Sequence, residues 1–152
     1  MISIFKADDG LRRMILISSN SFEDRDEEIV KEAALVEYVE HFMETPLLFW
    51  HGGAPIGTIV QAQMQGPFML ELAKELPNKT IDLSKAGEAS FLIERAQVWD
   101  AIEAAKGTWG VSIGFQAQKK DGDNGLFAHI LKFESSIIPR VNAANSFTYA
   151  AI

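Results

Sequence analysis

Hydrophobic positions along the chain recur with two periods, near two and near four residues, and the places where one gives way to the other outline the elements. Residues 13–20 (Arg-Met-Ile-Leu-Ile-Ser-Ser-Asn) are short and rich in β-formers. They predict a strand running into the acidic loop Glu23–Glu28. From Glu27 to Glu44, Val30, Ala34, Tyr38 and Phe42 recur every four residues beside Leu35 and Val39, which predicts a helix with one apolar stripe. Asp26 is its expected N-cap, and the early glutamates suit the positive end of the helix dipole. Pro46 stops the helix, and Leu47–His51 then reads as a buried strand ending in the turn Gly52–Pro55. Residues Ile56–Gln63 and Pro67–Lys74 read as a meander broken at Gly66-Pro67, and Leu76–Ser84 as loop.

A second amphipathic helix is expected over Gly87–Lys106, with Phe91, Leu92, Arg95, Val98, Trp99 and Ile102 on one side and Gly107 at its C′ position. Thr108–Gln118 then alternates as a strand, Asp121–Gly125 supplies a turn, and Leu126–Ile138 is the hairpin partner. The expected fold is α+β: a mostly antiparallel, barrel-like sheet packed by at least two helices.

At 152 residues the chain fits one domain, 1–152, large enough to bury a real core. Its net charge of −7 argues against nucleic acid or an anionic membrane as the main partner. With no cysteine there is no disulfide framework, thiol nucleophile or Cys-based zinc site, so chemistry must use hydroxyl, imidazole and carboxylate groups. The start of the chain lacks a long apolar leader and no window reads as a membrane span, which suits a cytosolic protein.

Within Thr108–Gln118, alternation sends Val111, Ile113 and Phe115 one way and Gly110, Ser112 and Gly114 the other. Ser112 stands on the face away from the core, with bare backbone on either side where another chain could approach closely. The same glycines also fit a bend in a barrel strand beside which the serine is incidental. Gly110–Gly114 matches the G-x-S-x-G pattern as well, but a nucleophile elbow needs a sharp turn and then a helix. Here a polar strand and a Gly-rich turn follow.

A serine nucleophile needs an imidazole to take its proton, and the imidazole needs a partner that fixes its tautomer. His41 falls on the polar flank of the first helix, four residues after Glu37, and reads as a surface residue. His129 is five residues from Glu134, which puts the two on opposite faces of a regular strand unless a bulge intervenes. His51 closes an apolar strand at a turn, a rim position from which a base can reach a cleft, or simply bond a loop carbonyl. Glu134 lies in an otherwise apolar and hydroxylic run, where a carboxylate is either paired with a cation or polar group or lies on an exposed face beside Lys132 and Ser136; pattern alone favours the exposed face.

Three blocks in order, Leu47-Leu-Phe-Trp-His51 leading to Pro55-Ile-Gly57, then Val111-Ser-Ile-Gly-Phe115, then Phe133-Glu-Ser-Ser-Ile-Ile-Pro139, resemble the tailed-phage prohead protease family. Ser18–Val30 is similar to that family's entry from strand to helix, and the resemblance runs from about residue 13 to 145. The chain departs from the family pattern after Pro139, where Arg140–Asn145 replaces the usual ending. The resemblance implies a serine endopeptidase with Ser112 as nucleophile, His51 as general base and Glu134 orienting His51, without metal or cofactor.

The family is related to the herpesvirus assemblins, a β-barrel ringed by helices with a second histidine as third member, which makes His129 the rival to Glu134. Backbone N–H groups near the glycines are the expected oxyanion donors, with Arg140 as an alternative by analogy with the assemblins. Implied partners are the scaffolding portion of the major capsid protein, the protease itself as substrate, and further copies of the chain. The implied location is the host cytoplasm, inside the procapsid. Two other readings are a protease-like scaffold without hydrolysis and a small-ester hydrolase built on Gly110–Gly114.

Overall fold

Residues 13–20 form a strand, as their composition predicts, and it lies near one end of a curled sheet. The structure is a computed structural model that describes residues 9–82, 92–119, 126–145 and 147–152. In chain order the elements are β1 (Arg13–Asn20), β2 (Ile29–Val30), α1 (Glu32–Glu40), β3 (Thr45–Phe49), β4 (Gly52–Gln65) and β5 (Phe68–Glu75). There follow β6 (Thr80–Asp82), β7 (Leu92–Glu94), α2 (Arg95–Ala104), β8 (Trp109–Lys119), β9 (Leu126–Pro139) and β10 (Tyr149–Ala151), with a 3-10 turn at Arg140–Asn142.

One sheet runs β10-β1-β5-β4-β3-β9-β2, with β8 paired to the other side of β9, and it curls strongly into a half-barrel. The fold is α+β and mostly strand, as expected at that level. Pairing is antiparallel except where β2 and β3 meet β9 in parallel. Met14, Leu16, Leu47, Ile56, Ile59, Trp99, Val111 and Ile137 fill the core. Trp99 is fully buried and its indole N–H donates to the Ile56 carbonyl at 2.8 Å, fastening α2 to β4. Gly57 makes this possible, since a Cβ there would lie 2.7 Å from the Lys74 carbonyl oxygen and 3.2 Å from the Trp99 ring.

Several expected boundaries give way to turn chemistry or distant pairing. The first helix begins only at Glu32 with Lys31 as N-cap, because the Asp24 carboxylate accepts the N–H groups of Asp26 and Glu28 and holds a turn there. Ile29 and Val30 are drawn into a parallel pairing with Leu126 and Phe127, and the helix ends at Glu40, well before Pro46, which is inside β3. Gly52–Pro55 belongs to β4; the turn is Trp50-His51. Residues 80–82, expected as loop, pair with Leu92–Glu94, so Leu92 leaves the second helix for a strand. That helix starts at Arg95 with a Glu94/Gln97 capping box and still buries Arg95, Val98, Trp99 and Ile102. Phe91 and the turn at 121–125 lie outside the described residues.

The inner side of the sheet also holds charge. Lys132 Nζ lies 3.0 Å from Glu71 Oε2, both side chains being fully buried. Thr45 Oγ1 accepts from the same ammonium at 2.9 Å, and Ser135 Oγ donates to Glu71 Oε1 at 2.7 Å. Removing one partner of such a pair strands a buried charge, at about 3–5 kcal/mol. Lys132→Met should therefore lower unfolding free energy in urea by about that amount, and adding Glu71→Gln should recover part of the loss. A Lys132→Met variant as stable as the parent would show that the pair carries no such weight.

Candidate active site

β8 and β9 pair along their length, and their register places the site. Ser112 is directly opposite Ser136, and Gly114 is opposite Glu134. Cross-strand neighbours share a face, so Ser112, Glu134 and Ser136 all lie on the side away from the core residues Val111 and Ile137. Beyond Gly114 the register slips: Phe115 faces Lys132, leaving Phe133 as an extra residue in β9. That bulge turns Lys132 inward to Glu71, whereas Glu134 stays on the outer face.

Of the two readings of Glu134, paired or exposed beside Lys132 and Ser136, pattern favours exposure; the residue is instead 5% exposed, with Ser136 fully buried, while the apolar Leu131 and Phe133 face solvent. The reason is His51, which comes down over it. Trp50 and His51 form a two-residue hairpin turn between β3 and β4 with φ of +55° and +58°. Such turns favour glycine and asparagine, and a left-handed non-glycine residue costs on the order of 1–3 kcal/mol, so the surrounding contacts must hold it. The Trp50 N–H donates to the Ile137 carbonyl at 3.1 Å, and the His51 N–H donates to Ser136 Oγ at 2.9 Å. Parallel pairing of β3 with β9 brings this turn beside the carboxylate.

His51 Nδ1 is 2.5 Å from Glu134 Oε1, and His51 Nε2 is 2.9 Å from Ser112 Oγ. With Nδ1–H donating to Glu134, Nε2 is left as the acceptor facing the serine hydroxyl. The Glu134 hydrogen bond raises the His51 pKa above its ordinary 6.5, against the opposing effect of burial. The structure thus brings together an alcohol, an imidazole and a carboxylate from three neighbouring parts of one sheet.

Gly114 clears space for the Glu134 carboxylate, and Gly110 for Arg140 and Thr148. A Cβ at Gly114 would run into Glu134 Oε1, and one at Gly110 would lie 3.0 Å from both Arg140 Cγ and Thr148 Oγ1. Close approach was legible in the sequence, but its occupants, side chains of the same molecule, were not. Residues 110–114 are uninterrupted strand, which excludes the turn of a nucleophile elbow.

His129 stands apart. The bulge at Phe133 undoes the parity that would have put it on the opposite face from Glu134, but it pairs with Gln118, six residues along β8 from Ser112. At about 3.4 Å per residue that is roughly 20 Å away. Its ring lies 3.3 Å from Glu37, the residue expected to neighbour His41, which is exposed at the end of α1. Arg140 stacks over Tyr149 at 5.7 Å and donates to the Gly107 carbonyl at 3.4 Å.

Two openings flank β8. One is lined by Ser18, Asn20, Asn145 and Ser112; the other, an open groove on the His51 side, by Pro46, Leu48, Ile113, Phe115 and Phe133. Among the described residues no cluster of acidic and imidazole side chains could hold a metal ion. No helix among them is long and apolar enough to cross a membrane. Comparison of the chain with protein-family models, curated proteins and solved structures finds no match.

The raised His51 pKa carries a testable sign. The protonated ring is favoured by folding, so its contribution to stability is fully present below about pH 6.5 and is lost as pH rises through the folded value. An NMR titration should place the His51 midpoint above 6.5 in the parent and lower in Glu134→Gln. The stability difference between the two proteins should be largest on the acid side. A parent midpoint at or below 6.5 would contradict the Glu134 contact.

Proposed function

We propose that the protein is a serine endopeptidase that uses Ser112, His51 and Glu134. The observation that carries this reading is the unbroken line from Ser112 Oγ through the His51 ring to the buried Glu134 carboxylate, at 2.9 and 2.5 Å. Ser112 Oγ attacks the scissile carbonyl carbon while its proton passes to His51 Nε2. Glu134 stabilises the imidazolium formed. Collapse of the tetrahedral intermediate breaks the C–N bond, and the leaving amine takes that proton. Water, activated by the same ring, then releases the acyl group.

An oxyanion needs donors near Ser112, and the Ile113 N–H is the proposed one. The Val111 N–H donates to Thr148 Oγ1 at 3.0 Å, so it points away from β9. In an antiparallel ladder the N–H two residues on points the same way. β8 has β9 as its only strand partner among the described residues, and its other edge is the side on which an extended peptide could lie.

The narrower reading comes from the likeness to prohead proteases. It supplies the assemblin-like barrel, the capsid scaffolding segment and the protease itself as substrates, self-association, and a place inside the procapsid in the host cytoplasm. The half-barrel sheet and the site geometry are compatible with it, and the three sequence blocks support it.

A fluorophosphonate probe should label Ser112 in the parent, and not in Ser112→Ala or His51→Ala. Processing of the co-expressed capsid protein should stop in Ser112→Ala, with turnover down about 10⁴-fold or more. Activity should fall as pH drops, with its half-point above 6.5, because only neutral His51 accepts the proton. Unlabelled Ser112 with unchanged processing would favour a scaffold role instead. A flat profile from pH 5 to 8 would remove His51 as base.

A further inference from the structure

One buried hydroxyl binds two parts of the site and takes no part in the proton path. Ser136 lies on β9 opposite Ser112 of β8 on one side and Leu48 of β3 on the other, in the middle of the three strands that carry the site. It is fully buried. Its Oγ donates to Glu134 Oε2 at 2.9 Å and accepts the His51 N–H at 2.9 Å. A hydroxyl has one proton and two lone pairs. Ser136 thus gives its only proton to the carboxylate oxygen that His51 leaves free, and receives the backbone of the residue whose ring uses the other oxygen.

His51 needs such a tether, since it and Trp50 both hold left-handed backbone without being glycine. Released from Ser136, the turn keeps the Trp50 N–H to Ile137 carbonyl bond but loses the one made by His51 itself. The carboxylate would at the same time lose its second anchor and be free to rotate away from Nδ1.

We propose that Ser136 is a positioning residue: its hydroxyl couples the strained Trp50-His51 turn to the Glu134 carboxylate, so that base and acid are held as one unit in front of Ser112. The proposal deepens the peptidase reading and rests on it for its kinetic consequence, but not for its effect on the His51 ring. A hydroxyl that merely satisfied a buried cavity would change stability and leave the ring's titration alone.

The test compares the parent, Ser136→Ala and Ser136→Thr as whole chains, with circular dichroism and thermal melting to establish folding. NMR then follows two signals, the titration midpoint of His51 and its downfield Nδ1 proton. In Ser136→Ala the midpoint should fall toward 6.5 and the Nδ1 proton should broaden or vanish. With a cleavable peptide, kcat should drop about 100-fold while KM stays within about twofold, the pattern of a displaced catalytic group. Ser136→Thr, which keeps the hydroxyl, should recover most of the ring's behaviour.

A folded Ser136→Ala with the parent's midpoint and Nδ1 signal would overturn the proposal. Should Ser136→Ala not fold, Ser136→Cys, close in volume and a weak donor, is held to the same two signals. A parent that cleaves no peptide while these signals move in Ser136→Ala would end the peptidase reading and leave the positioning role. An active parent with unmoved signals would do the reverse.

Discussion

The register of β8 against β9, with Phe133 inserted opposite the step from Gly114 to Phe115, is the constraint on which the site depends. A strand shows its side chains to alternate faces, so one extra residue reverses every assignment beyond it. On the Ser136 side of the bulge, Glu134 faces the outer surface and meets His51. On the other side, Lys132 faces inward and meets Glu71. Two charged groups two residues apart thus serve opposite faces of one sheet, and neither competes for the other's partner. Without the bulge Lys132 would share the outer face with Glu134 and could neutralise the carboxylate that His51 uses.

The site is built on sheet rather than on long loops, and this accounts for its order. Ser112 and Glu134 sit on paired strands, and His51 sits at the tip of the tight turn leading into β4. Backbone hydrogen bonds to β9 fix the turn from one side and the β3–β4 ladder fixes it from the other. Left-handed backbone at two non-glycine residues persists only under such constraint, and it aims the imidazole between alcohol and carboxylate. Sites carried by strands hold their geometry more tightly than sites carried by loops.

Much of the strand pattern was legible because its cause is local. Residues 13–20 and the long pair around Ser112 and Glu134 alternate or cluster β-formers, and they form strands close to the expected bounds. The helices were overextended for equally physical reasons. Apolar spacing through Val30 satisfied a helical stripe, yet an Asp24 side chain bonding two backbone N–H groups and a distant partner at Leu126 and Phe127 outweighed it. Residues 80–82 carried no strand signal of their own, because their order comes from residues 92–94. At the site, the glycines around Ser112 signalled close approach without revealing what approaches. Glu134 looked exposed because nothing nearby in the chain foretells that His51 folds over it.

The chain by itself settled the chemistry available: hydroxyl, imidazole and carboxylate with no thiol, and a serine held between glycines on the outer face of a strand. Composition and alternation are properties of neighbouring residues, and those survive without knowledge of the fold. That the His51 ring lies between that serine and Glu134, and that Lys132 turns to the face opposite Glu134, were decided only by tertiary structure. Both follow from the parallel pairing of β3 with β9 and from one inserted residue, and strand pairing is a contact between segments that no local pattern encodes.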